Sequence, residues 1–281
     1  MAFYIPSVAA PYLLKEMSAR LVMGGLADNI TDDVPDIQWS GSEITFPVFA
    51  RSAEASVIED KGSVVPVEID GSSTTAPIKH IAASIRWHED TIRKSGQMLA
   101  DLGIRDLADA MALKLDGDLV AEAISGATLK FASAAADEIT ADELEGGLAL
   151  FGDRQNAAEF AGILTNSKLF PSFLKMNGFT SSDLTYTARN NGIVTNQICG
   201  FYRGIPVFLT DNGTRPSVSS AYECRTILLK KHGLGYALKK TVQFREAYDP
   251  TSFYTTVTAD TYASEKVLDT DKVAWIGKTT A

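Results

Sequence analysis

Between Gln97 and Ile124 the apolar residues return at helical spacing. Leu107, Met111, Leu115 and Leu119 recur every fourth position, and Ile104 and Ala108 share their face. Asp106, Asp109 and Asp116 fall on the other side. One apolar stripe at this period predicts a long amphipathic helix whose core side is Leu107, Met111, Leu115 and Leu119. At ~1.5 Å per residue the stretch makes a rod of roughly 42 Å, longer than most globular helices. Glu122 lands on the stripe and blurs it near its end. Gly103 and Gly117 each weaken a helix by roughly 1 kcal/mol against alanine, so packing has to hold this one.

Upstream, the period changes to two. Ile44, Phe46 and Val48 alternate with Thr45, Pro47 and Phe49, and a return limb follows with Val65, Val67 and Ile69. Glu59-Asp60-Lys61-Gly62 reads as the tip between them, and Asp70 to Thr75 as a second break. Later on the return limb come Ile81, Ala83, Ile85 and Trp87, so that residues 43 to 87 read as a long two-stranded excursion. A hairpin this long is marginal alone, so it must lie on its own core or on another chain. Residues 1 to about 40 hold a short amphipathic piece, Pro11 to Met23, then Gly24-Gly25 and turn signals through Asp28-Asn29, Asp32-Asp33 and Pro35-Asp36. They read either as a frayed terminus or as an arm packing on a neighbouring subunit.

Downstream of the rod, short strands and helices mix. Thr140-Ala-Asp-Glu143 has the form of a capping box before Leu144 and Leu148. Phe160 to Thr165, Ile205 to Thr210 and Arg225 to Lys230 read as strands, and Asn166 to Leu174 as a helix stopped at Asn177-Gly178. Ser181 to Gln197 is polar and Asn-rich, an exposed loop. Lys240 to Arg245, Phe253 to Tyr262 and Lys272 to Ile276 are the closing strands, with Phe253, Thr255, Val257 and Ala259 on one face. The fold class is α+β.

The 281 residues are 45% hydrophobic, enough for one large domain or two subdomains. A net charge of −9 argues against gripping nucleic acid through its phosphates, although not against enclosing it. Two cysteines, Cys199 and Cys224, are too few for a disulfide framework and point to a reducing compartment. No basic n-region opens the chain, and Lys15, Glu16 and Arg20 interrupt any secretory core. No run approaches the ~18 apolar residues of a membrane span.

Candidate chemistry is sparse. Gly277-Lys278-Thr279-Thr280 looks like the end of a phosphate loop, but Lys272 stands where its first glycine belongs and no helix can follow. Gly233-Leu-Gly235 starts a dinucleotide fingerprint, but Leu238 replaces its third glycine, so a turn is the reading here. His88-Glu89-Asp90 has the residue types of a metal or acid–base site. Adjacent positions diverge, however, and acids at a helix start satisfy the helix dipole. The expectation is no catalytic, metal or cofactor-binding residue and no enzyme. A soluble hydrolase without a recognisable motif is the remaining enzymatic alternative.

The order of parts carries a resemblance. Ile81 to Ile124 is similar to the strand and spine helix of the major capsid proteins of tailed double-stranded DNA bacteriophages, a fold shared with encapsulins and the herpesvirus capsid floor. Ile163-Leu-Thr-Asn-Ser-Lys-Leu-Phe170 resembles that family's axial strand and turn, and Gly204-Ile-Pro-Val-Phe208 its Gly-x-Pro-Val strand. Lys231-His-Gly-Leu-Gly-Tyr-Ala237 through Trp275 resembles its closing strands. The resemblance implies an N-terminal arm (1–42), an extended loop (43–80), a peripheral domain with the spine helix (81–126 and 236–265) and an axial domain (127–235 and 266–281). It implies pentamers and hexamers of an icosahedral head enclosing double-stranded DNA without sequence-specific binding. A portal, a decoration protein and assembly in the bacterial host cytoplasm are part of that expectation, with no membrane. Inter-subunit contacts would fall on Ile44, Phe46, Val48, Arg51, Glu59, Lys61, Val65 and Val67. About 40 residues before the hairpin leave no room for a long scaffolding region, so a separate scaffolding protein or a mature form is expected. Some members cross-link a loop lysine to a peripheral asparagine; no Asn follows Asn212, so no such bond is expected. An encapsulin-like nanocompartment shell is the alternative.

Overall fold

The computed structural model describes residues 6–32, 41–49, 71–95, 97–132, 138–181, 198–215, 217–218, 221–239 and 242–280. Helix α1 (Pro6–Arg20) and the short strand β1 (Asp28–Asn29) come first. Strand β2 (Glu43–Phe49) pairs antiparallel with β3 (Gly71–Pro77), which runs on through Ile78 into β4 (Lys79–His88). Helix α2 (Glu89–Ser95) leads into α3 (Gln97–Gly126). At 30 residues, α3 is ~45 Å long.

Strand β5 (Leu129–Ala132), helix α4 (Ala141–Ala149), strand β6 (Phe160–Thr165) and helix α5 (Phe170–Leu174) follow. Then come β7 (Phe179–Ser181), β8 (Ile198–Tyr202), β9 (Ile205–Leu209), β10 (Ser217–Val218) and β11 (Ala221–Lys230). The chain closes with β12 (Leu234–Leu238), β13 (Gln243–Asp249), β14 (Tyr254–Val267) and β15 (Val273–Thr280).

These strands form two sheets beside the hairpin. In the first, the order is β1-β12-β14-β13, with β4 also pairing along β14. Helix α3 lies on it. Leu107, Met111, Leu115 and Leu119 are buried in one cluster with Tyr236, Val257, Ala259 and Ala263. Each such side chain contributes about 1.5–3 kcal/mol, well beyond the roughly 2 kcal/mol that two helical glycines cost. In the second, the order is β5-β15-β11-β6-β9-β8-β7, with β10 beside β11. Leu144 and Leu148 of α4 and Phe173 of α5 cover it against Ile163, Val207, Leu228 and Ile276. The predicted capping box is present: Glu143 N–H reaches Thr140 Oγ1 at 3.3 Å, and Thr140 N–H reaches Glu143 at 2.9 Å.

Several expectations change. Asp116 is buried, 5% exposed, although the helical wheel puts it among polar residues. Its Oδ2 accepts the Val22 N–H at 2.7 Å and its Oδ1 the Gly24 N–H at 3.0 Å. Helix α1 causes this by coming back onto α3: Leu13, Met17 and Met23 are buried in the same cluster as the spine stripe. The leading segment is therefore packed on its own body over the described residues. Asp70 to Thr75 is no break from Gly71 on, because Gly71-Ser-Ser-Thr-Thr-Ala-Pro77 is the return strand itself, with Ile44 opposite Ala76 and Phe46 opposite Thr74. Pairing and a half-buried surface override weak strand propensity there. The expected limb Val65, Val67 and Ile69, the tip Glu59 to Gly62 and the polar loop before Gln197 lie outside the described residues. The turn expected at Gly233-Leu-Gly235 ends at Gly233, after Lys231 and His232, and Leu234-Gly-Tyr already belongs to β12, with Gly235 pressed on Leu268. Phe253 leaves the predicted face: it precedes β14 at a φ of 54° and is exposed.

Candidate functional site

Among the described residues no group of three or more His, Cys, Asp or Glu is placed to hold a metal. The three histidines lie in different places. His80 meets Asp260 at 2.9 Å, and His232 meets Asp28 at 2.7 Å. His88 ends β4, and Glu89 beside it opens α2. Glu89 binds Arg93 at 2.8 Å and accepts the Tyr248 hydroxyl at 3.2 Å. The Arg93 guanidinium holds its carboxyl below the usual range. This is the chemistry of a helix start. Cys199 is buried and donates its S–H to Val207 O at 3.2 Å. Gly277 to Thr280 is the end of strand β15, opposite Arg225 to Tyr222 of β11, and so is extended and paired where a phosphate loop would turn.

The element with the shape of an interface is the hairpin β2–β3. Its described rungs run seven residues, ~24 Å at strand rise. Its two faces differ. Ile44, Phe46 and Ala76 are 0–1% exposed and pack with Ala237, Ile30, Ile78 and Leu268 of the same chain. The expectation that Ile44 and Phe46 touch a neighbouring subunit is therefore corrected, since their side chains already face the chain's own first sheet. The opposite face carries exposed Thr45, Ser73 and Thr75. Val48 is half-buried and lines an open groove of about 1040 Å³ with Ser73 and Thr74 on one wall. Phe151, Arg154, Lys230 and Asp269 line the other wall. Lys230 is held there by Arg154 O and Glu159 and lies over the rings of Phe151 and Phe160. Arg51, Glu59, Lys61, Val65 and Val67 lie outside the described residues.

Two sets of polar contacts tie the hairpin and the arm to the spine helix, and neither was legible in the sequence. Lys79 reaches Glu265 of β14 and Asp118 of α3. Arg20 of α1 reaches Asp109 of α3 and donates to Arg105 O at 2.8 Å. The partners lie tens to nearly two hundred residues apart, beyond any local motif. The far end of the first sheet stays open: Tyr248 and Phe253 flank the β13–β14 turn and are half exposed. In that turn the Ser252 and Thr251 hydroxyls hydrogen-bond Asp249 and bring its carboxyl down to about 2.

Particle shells share this fold along nearly the whole chain. The capsid of an empty GTA particle aligns with a TM-score of 0.65 at 12% identity, over 93% of this chain and 90% of that one. The capsid of Ralstonia phage GP4 aligns at 0.59 and 12% identity, over 86% and 84%. A virus-like particle from Pyrococcus furiosus aligns at 0.56 and 11% identity, over 96% and 98%. No protein-family model and no curated protein matches the sequence. At these identities the likeness is one of fold: the chain has the α+β fold of the phage capsid proteins.

Proposed function

We propose that the chain is the shell-forming subunit of an icosahedral phage head, assembling as pentamers and hexamers around double-stranded DNA. One observation carries this reading: shell proteins span nearly all of this chain, and this chain spans nearly all of them. In this reading the subunit acts as structure and not as an enzyme.

The first sheet with α3 serves as the peripheral domain (81–126 and 236–265), and the second sheet as the axial domain (127–235 and 266–281). The apolar root of the hairpin stays on its own subunit, and the part beyond it reaches the adjacent one through Arg51, Glu59, Lys61, Val65 and Val67. Interlocked subunits of this kind bury far more surface than a simple pairwise contact. An acidic chain, net −9, encloses DNA without gripping it. A separate scaffolding protein, a portal and a decoration protein complete the head in the bacterial host cytoplasm.

The test is electron microscopy and light scattering of the purified protein, alone and with its scaffolding protein. Closed particles, hexamers or pentamers are the expected result, and a protein that stays monomeric under both conditions refutes the reading. Lys61→Glu should reduce particle yield while leaving the subunit folded; wild-type assembly, or loss of soluble protein, counts against the role of that residue. The second reading is a nanocompartment shell; the likeness to the Pyrococcus furiosus virus-like particle is compatible with it and does not rank it above the first. Nuclease-protected DNA inside the particles supports the first reading, and a packaged protein cargo the second.

A further inference from the structure

Strand β4 and strand β3 are one extended segment that changes partners at a single residue. The last rung of the ladder with β14 pairs Lys79 with Ala263. One residue earlier, Ile78 gives its N–H to Ser42 O at 2.9 Å and belongs to the hairpin. Lys79 thus marks the boundary between body and hairpin.

Its ammonium is held between two other elements. It bonds the Glu265 carboxylate of β14 and lies 3.8 Å from Asp118 of α3. The Glu265 side chain is 2% exposed and that of Asp118 14%. Neither Glu265 Oε2 nor Asp118 Oδ2 has a hydrogen-bond partner among the described residues. Lys114 holds only Asp118 Oδ1, at 2.7 Å, from an exposed position on the same helix. Two carboxylates from two elements therefore share one ammonium from a third. Removing that cation leaves the buried Glu265 carboxylate with no countercharge among the described residues and Asp118 with the exposed Lys114 alone; the Lys79 side chain is itself 41% exposed, so solvent screens part of the loss.

Among the described residues the hairpin is also attached through the small cluster of Ile44, Phe46 and Ala76 with Ala237. Apolar burial is non-directional: it resists lifting the hairpin but defines its angle poorly. A charge-assisted bond to one fixed partner, Glu265, with a second carboxylate, Asp118, 3.8 Å away, defines direction.

We propose that Lys79 is an electrostatic latch that sets the angle at which the hairpin leaves the body and couples it to the spine helix. If α3 shifts, Asp118 carries the latch with it, and the hairpin must follow or release. The latch belongs to the single chain and stands or falls independently of the shell.

Hydrogen exchange with mass spectrometry on the full chain tests it, comparing wild type with Lys79→Met, Lys79→Arg and Lys114→Met. Methionine keeps the apolar stem and removes the charge. Lys79→Met should speed exchange of the β2 and β3 amides by about tenfold or more while β6 and β11 in the second sheet keep wild-type rates. Lys79→Arg and Lys114→Met should leave the hairpin at wild-type protection. Unchanged hairpin exchange in Lys79→Met overturns the latch. So does a rise spread equally over both sheets, or an equal hairpin effect from Lys114→Met. Should Lys79→Met fail to fold, Asp118→Asn on an otherwise wild-type chain gives the same reading: faster exchange confined to the hairpin supports the latch, and any other pattern refutes it.

Discussion

Replacing Asp116 tests how the leading segment is held. In the turn after α1, the N–H groups of Gly25, Leu26 and Ala27 bond back to the carbonyls of Val22 and Met23. Those of Val22 and Gly24 go to Asp116 at 2.7 and 3.0 Å. Asp116→Ala removes both acceptors from a site where the residue is 5% exposed. Hydrogen bonds to a charged acceptor are worth about 1.5–3 kcal/mol each, so the gross loss is roughly 3–6 kcal/mol. Some of that returns, because the buried charge is itself unfavourable: burial pushes the Asp116 carboxyl above its ordinary range. A net loss of about 3 kcal/mol is expected, and Asp116→Asn, which keeps one acceptor, should lose about half of it. Amide exchange at Gly25, Leu26 and Ala27 reads this directly, since about 2.8 kcal/mol is roughly a hundredfold in opening. A change below about threefold in the alanine variant would show that the turn holds without the carboxylate. The pH sign follows from the raised folded value. The native chain holds this proton more tightly than the unfolded one, so the group's contribution is full below the unfolded pKa and falls as pH rises through the folded one. The penalty of either variant should therefore be largest in acid and shrink toward neutrality.

Other outcomes follow from packing and burial. A Cβ on Gly117 would meet Asn212 Oδ1 at 3.1 Å, and the same Asn212 donates to Leu113 O. Gly117→Ala should thus lose about 1 kcal/mol in urea unfolding, yet gain about as much from helix propensity in an Asn212→Ala background. A gain in the wild-type background would show that Asn212 yields freely. Burial pushes the Cys199 thiol up to about 12. It should stay unmodified by a chromogenic disulfide reagent in the native chain and react once urea unfolds it; native-state reaction at the unfolded rate would contradict its burial.

The elements were legible wherever a period ran unbroken. The stripe Leu107, Met111, Leu115 and Leu119 announced α3, and its burial is now seen. Thr140 and Glu143 announced the start of α4, because a cap is made within four residues. The strands Phe160–Thr165 and Ile205–Leu209 were apolar enough to read. The order of these parts was enough to point to a capsid fold.

What the chain does with its charges was not legible. Asp116 looked solvated until α1 folded back over it, and Ile44 and Phe46 looked available to a neighbour until Ala237 and Leu268 met them. Gly117 read as a weak point in the helix until the Asn212 turn filled the space above it. Local periodicity follows from backbone geometry within a few residues, and the sequence by itself determined that much: the helices, most strands and their order. Which carboxylate is buried, which face of the hairpin is covered and where Lys79 points depend on contacts between residues tens to hundreds of positions apart. Only the tertiary structure decided them, because burial belongs to two surfaces brought together and not to either alone.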